Sequence, residues 1–167
     1  MTNPIVDKDF LIEKRISKSG FKFSNWTHVV ISDFPLDIVK GKGGTVKVKG
    51  FIDSYELRQY NLLPMQGNSM LLPLKSSIRK KIKKEVGEYV HVTLYLDSSK
   101  LEIPEDILIC LADSHLAHDF FMTLTESNQK YYVDWILESK SVDTKVARIV
   151  KTIQRLEQGQ KFYDWRL

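Results

Sequence analysis

Tyr89-Val90-His91-Val92-Thr93-Leu94-Tyr95-Leu96 sets an aliphatic residue at every second position over eight residues. Successive side chains of a strand point to opposite faces of its sheet, which puts Val90, Val92, Leu94 and Leu96 inward and Tyr89, His91, Thr93 and Tyr95 outward. The same period of two runs through Phe10, Ile12 and Ile16, and through Val46, Val48 and Ile52. Turn chemistry separates such runs at Gly41-Lys42-Gly43-Gly44, Asp53-Ser54 and Gln66-Gly67-Asn68-Ser69. Several short strands spaced in this way form a small, mostly antiparallel β-barrel, whose closure also removes unpaired edges. Ile78, Ile82 and Val86, each four apart, predict one short helix among the strands, with Gly87 as its stop.

Beyond residue 98 the period becomes helical, so the fold class reads as α+β: a barrel over residues 1–98 and a helical segment over 99–167. Pro104 has no amide hydrogen to leave unpaired in a first helical turn, and Glu105 and Asp106 put negative charge at the positive end of the dipole. A second helix is expected over His115 to Leu124. A third runs from about Asn128 to Lys140 and buries Tyr132, Trp135, Ile136 and Ser139. The last begins near Asp143, shows Val146, Ile149, Ile153 and Leu156 on one face, and stops at Gly159.

Composition narrows the class of protein. The chain has 167 residues, 43% of them hydrophobic and 28% charged, the balance of an ordinary globular protein. Polar residues before Asp9, and Glu13, Lys14 and Arg15 after it, do not make a secretory signal, and no apolar run approaches ~20 residues, so a cytoplasmic protein without membrane insertion is expected. One cysteine makes no internal disulfide, which agrees with a reducing compartment. The net charge of +4 is local in origin. Lys75, Arg79, Lys80, Lys81, Lys83 and Lys84 fall within ten residues that contain no acid, while acids outnumber bases in the rest of the chain.

In the helical segment, Tyr132-Val133-Asp134-Trp135-Ile136, Ser139-Lys140, Asp143-Thr144, Arg148-Ile149 and Gly159 resemble the C-terminal motif of the bacteriocin-protection, YdeI/OmpD-associated family. Ser139-Lys140 and Thr144-Lys145 stand where that family often has Ala-Lys and Thr-Arg pairs. The stretches Val46 to Ile52, Leu71 to Leu74, Ser77 to Lys81 and Gly87 to Val92 resemble the β-barrel domain of unknown function that commonly precedes this tail. Together the resemblances imply a bacterial protein with a barrel and a small helical cap, in which Trp135, Lys140, Thr144 and Arg148 are structural residues that join helices and dock them. The family's name implies protection against antimicrobial peptides, and a name is not a site.

Leu72-Pro73-Leu74-Lys75 to Arg79, followed by Gly87-Glu88-Tyr89-Val90, is also similar to the double-split barrel core of AbrB-like transcription factors, with Glu88 in place of an aspartate. In those proteins two chains interleave and present basic residues to DNA. The lysine window therefore has two readings, a phosphate-contact surface for nucleic acid or another polyanion, and a solvated face of a short helix. Trp26 and His28 on one strand, with Arg58 and Tyr60 on another, line a small pocket or pack in the core. His115 and His118 have a spacing that brings two ligands to one metal, but no third ligand accompanies them, and no metal or other cofactor is assigned. Cys110, within an apolar run, reads as a core residue rather than a nucleophile. Phe162 to Trp165 form a packed strap or a partner-binding segment. With no catalytic set in view, the chain reads as a non-enzymatic binding or stress-related module, monomer or homodimer; a nucleic-acid-binding protein and an enzyme whose site joins residues distant in sequence are the rivals.

Overall fold

The computed structural model describes residues 3–15 and 26–164. Among these, seven strands, β1 (Val6–Leu11), β2 (Glu13–Arg15), β3 (Trp26–Ile31), β4 (Val46–Ile52), β5 (Tyr55–Pro64), β6 (Met70–Pro73) and β7 (Tyr89–Leu96), form one sheet in the order β1-β7-β4-β5-β6-β3-β2. Each ladder is antiparallel. The two ends of that order, β1 and β2, are separated in sequence by Ile12 alone, so one bent segment pairs with β7 through its first half and with β3 through its second. The result is a nearly closed barrel built from a single chain, unlike the two interleaved chains of the AbrB-like arrangement.

The alternation that opened the sequence reading holds over most of β7. Val90, Val92 and Leu94 are buried among Phe10, Val48 and Ile52, whereas Leu96 is 48% exposed. The strand ends there and Asp97 turns inward in its place. Its carboxylate accepts from the Ser99 amide at 2.9 Å, the Ser99 hydroxyl at 2.6 Å and the Gln59 amide at 3.0 Å. Burial pushes this carboxyl up, but those donors and the Lys47 ammonium outweigh it and hold Asp97 below the usual carboxylate range. Gln59, with φ of 48°, belongs to a bulge, for Val48 faces Tyr60 while Gly50 already faces Leu57. Gly50 itself lies so close to β7 that a Cβ on it would stand 2.0 Å from the Thr93 carbonyl oxygen.

Helix α1 (Ser76–Ile82) is shorter than its apolar pattern predicted. Lys83 takes a left-handed conformation at φ 56°, and the Lys84 amide bonds back to the Arg79 carbonyl, which closes the helix four residues before Gly87. Ile78 and Ile82 reach the barrel core, but Val86 falls in the following turn and is exposed.

The chain divides into two units, Met1–Ser99 and Lys100–Leu167. The second holds α2 (Glu105–Ala112), α3 (His115–Thr123), α4 (Glu126–Leu137) and α5 (Val142–Glu157) around its own core of Leu111, Phe121, Tyr132, Ile136 and Leu156. Ser114, Thr125 and Ser141 cap α3, α4 and α5 through their side-chain oxygens. Two expectations shift. Cys110 is half-buried, because the apolar run 107–111 is a helix that buries only Ile107 and Leu111. Val146 is exposed, because the seam at that level is filled by Lys145, whose ammonium pairs with Asp106 of α2.

Candidate polyanion-binding face

Of the six cations between Lys75 and Lys84, Arg79, Lys80 and Lys81 lie on the seven-residue helix α1, Lys75 and Lys83 cap its ends and Lys84 follows it, and the fold separates them into two groups. Arg79 is largely covered and pairs with Glu85. Lys84 sits 3.1 Å from the Asp53 carboxylate at the β4–β5 turn and donates to the Tyr89 carbonyl. These two cations hold local acids. Lys75, Lys80, Lys81 and Lys83 are exposed, with the Lys81 ammonium 5.2 Å from the centre of the Tyr55 ring. Glu88, the remaining acid of the turn, accepts from the Glu85 amide at 2.7 Å.

The cationic face therefore lies at the barrel end where β1 and the β4–β5 turn end and β7 begins. There Leu11 is paired with Tyr89, and Leu11, Val86 and Tyr89 are all exposed apolar side chains. Next along the outer face is a group that sequence reasoning placed outward without naming its partners. His91 hydrogen-bonds Asp9 through Nδ1 at 2.7 Å and Asp7 through Nε2 at 3.0 Å, and Asp7 also accepts from the Thr93 hydroxyl at 2.9 Å. Carboxylates at both ring nitrogens favour the imidazolium, so the bonds to Asp9 and then Asp7 raise the His91 pKa. The bond from Thr93 and the one from His91 lower that of Asp7.

Comparison with known families divides the chain where its structure divides. Residues 14–94 match the domain of unknown function DUF1905, and residues 100–159 match the bacteriocin-protection, YdeI or OmpD-associated family, OmdA. The chain carries an OmdA domain behind a DUF1905 domain. No curated protein matches it.

In the OmdA domain the motif residues separate into two roles. The Arg148 guanidinium lies over the Trp135 ring, 5.1 Å from its centre, and donates to the Trp135 carbonyl, which fastens α5 to α4. Lys140 is exposed, and the exposed Thr144 hydroxyl accepts from that of Ser141 at the start of α5. Arg155 makes a second fastening. It donates to the Lys161 and Phe162 carbonyls at 2.8 and 3.2 Å and to the Tyr132 hydroxyl at 3.3 Å, while that hydroxyl donates to the Gln160 carbonyl at 2.8 Å. Phe162 then packs edge-on against Tyr132 and Trp135, as a strap on α4. Trp165 lies outside the described residues.

The remaining candidates are dispersed. In the DUF1905 domain His28 is buried, and the Tyr60 hydroxyl donates to the Pro73 carbonyl at 2.7 Å. The Arg58 side chain is 77% exposed and makes a two-point pair with Glu56 at 3.0 and 2.9 Å, so it stands in solvent rather than in the interior with His28. The Trp26 side chain lies outside the described part of the structure, as does Ile16. In the OmdA domain His115 is exposed, and His118 meets Asp119 at 3.3 Å. Among the described residues no group of three or more His, Cys, Asp or Glu side chains is arranged to hold a metal, and no helix is long and apolar enough to cross a membrane.

Proposed function

We propose that the chain is a binding protein that takes a polyanion on the lysine face of its barrel and does not turn over a substrate. The observation that carries this reading is the division of labour in the window: Arg79 and Lys84 hold Glu85 and Asp53, while Lys80 and Lys81 on a short helix and Lys83 at its cap are exposed to solvent. Exposed lysines without planar hydrogen-bonding partners attract phosphate without reading sequence, so the face supplies affinity rather than base specificity. A cytoplasmic location belongs to the same reading.

The test is fluorescence anisotropy with labelled mixed-sequence duplex DNA and with labelled heparin, at low and at moderate salt. Replacing Lys80, Lys81 and Lys83 by Gln leaves the Asp53 and Glu85 pairs in place. Binding is expected to weaken with salt in proportion to the phosphates contacted, with a slope reduced by about 0.9 per phosphate-contacting lysine removed. Binding of the triple variant equal to that of the parent chain would remove the face from consideration.

A further inference from the structure

Polyanions differ in what they offer beside their charge, and this end of the barrel carries more than charge. Tyr89 is 62% exposed, the most exposed of the described aromatic rings on this barrel end, at the first position of β7. The Lys84 ammonium reaches its carbonyl, Leu11 is its partner across the ladder, and Val86 lies in the turn three residues before it. Of the acids nearby, Glu85 pairs with Arg79, Asp53 with Lys84, and Asp7 and Asp9 with His91, while the exposed Glu88, next to the ring in sequence, accepts from the Glu85 amide. Beside these carboxylates a flat aromatic ring and two aliphatic side chains reach solvent, and the exposed Lys80, Lys81 and Lys83 lie on the segment that leads to them.

Resting on the polyanion reading above, we propose that this end of the barrel takes single-stranded nucleic acid, with Lys80, Lys81 and Lys83 on phosphates and the Tyr89 ring stacked on one base. A duplex keeps its base faces covered, and heparin has none, so neither gives Tyr89 a partner; a single strand presents an unpaired π-face beside each phosphate. An anionic membrane also combines charge with apolar surface, but a peripheral helix needs an apolar face turned outward, and α1 turns Ile78 and Ile82 into the barrel core.

The experiment uses the full chain with a labelled oligothymidylate of about 15 nucleotides, the same strand paired with its complement, heparin, and phosphatidylserine-containing vesicles. Single strand is expected to bind more tightly than duplex. Tyr89→Ala should lower single-strand affinity about tenfold and leave duplex and heparin binding within about twofold, while Tyr89→Phe retains the parent value. Thermal melting of each variant confirms an intact fold. Lysine-dependent binding that favours duplex or heparin, or that ignores Tyr89→Ala, overturns the single-strand assignment and leaves the polyanion reading standing. Absence of binding to every polyanion at low salt overturns both. Tyr89-dependent capture by vesicles with none by oligothymidylate overturns the assignment in favour of a lipid surface.

Discussion

The barrel and the helical unit are closed by different means. Each strand leaves half of its backbone groups for a neighbour, so the barrel is joined by ladders, and those ladders demand close approach of main chain to main chain. Helices satisfy their backbone groups internally, so side chains must do the joining. In the helical unit Arg148 reaches the Trp135 carbonyl, and Arg155 reaches the carbonyls of Lys161 and Phe162. The barrel is accordingly sensitive where it has no side chain, at Gly50, and the helical unit where it has a long one.

Gly50→Ala tests the first half of that contrast and should have the largest effect. The new Cβ would meet the Thr93 carbonyl oxygen at 2.0 Å, at a backbone φ of 145°. A cost of about 3 kcal/mol or more is expected, above the usual range for overpacking, read as loss of hydrogen-exchange protection in β4 and β7 with the helical unit still protected. Full protection of those amides would show that the ladders have room to spare. Arg155→Met tests the other half. It keeps the stem and removes the donors, so the strap 160–164 should become cleavable by protease and the helical unit lose about 1.5–3 kcal/mol, with the barrel unchanged. An uncut strap would mean that Phe162 packing alone holds it.

The smallest effect is expected from His91→Gln, an exposed place where the barrel also uses a side-chain fastening, between β1 and β7. Because the folded-state pKa of His91 is raised, its contribution is complete below the unfolded value of about 6.5 and is lost as pH rises through the higher folded value. Asp7, with a lowered pKa, contributes above its unfolded value of about 3.9 and loses that contribution as pH falls through the folded one. Urea midpoints of the parent chain should therefore decline above about pH 6.5, and the Gln variant should lack that decline. A decline of equal size in both proteins would assign the pH dependence elsewhere.

The same contrast explains what could be read from the letters. Val48, Val90, Val92 and Leu94 declare the barrel because burial of one sheet face imposes a period of two, and the last helix could be placed from its repeat and Gly159. Misplacements fall at ends and seams. Leu96, the last residue of β7, yields the inward place to Asp97, Val86 lies beyond the point where Lys83 stops α1, and Val146 occupies a stripe position that Lys145 fills by pairing with an acid on another helix. The six basic residues were visible, but their division was not, since Asp53 is brought to Lys84 by a β-turn and Glu85 to Arg79 by a left-handed residue. The His91 group was hidden for the same reason: Asp7 and Asp9 lie more than 80 residues upstream, and only the β1–β7 register brings them together.

Residues 6–15 carry a consequence of their own. A segment that pairs with β7 on one side of Ile12 and with β3 on the other is a removable stave: withdrawing it bares two edges at once, and both are bordered by buried aliphatic rows. A weakened hold on β1 therefore opens the barrel on both sides of one segment, which makes residues 6–15 the closure of the whole wall rather than one more strand in it.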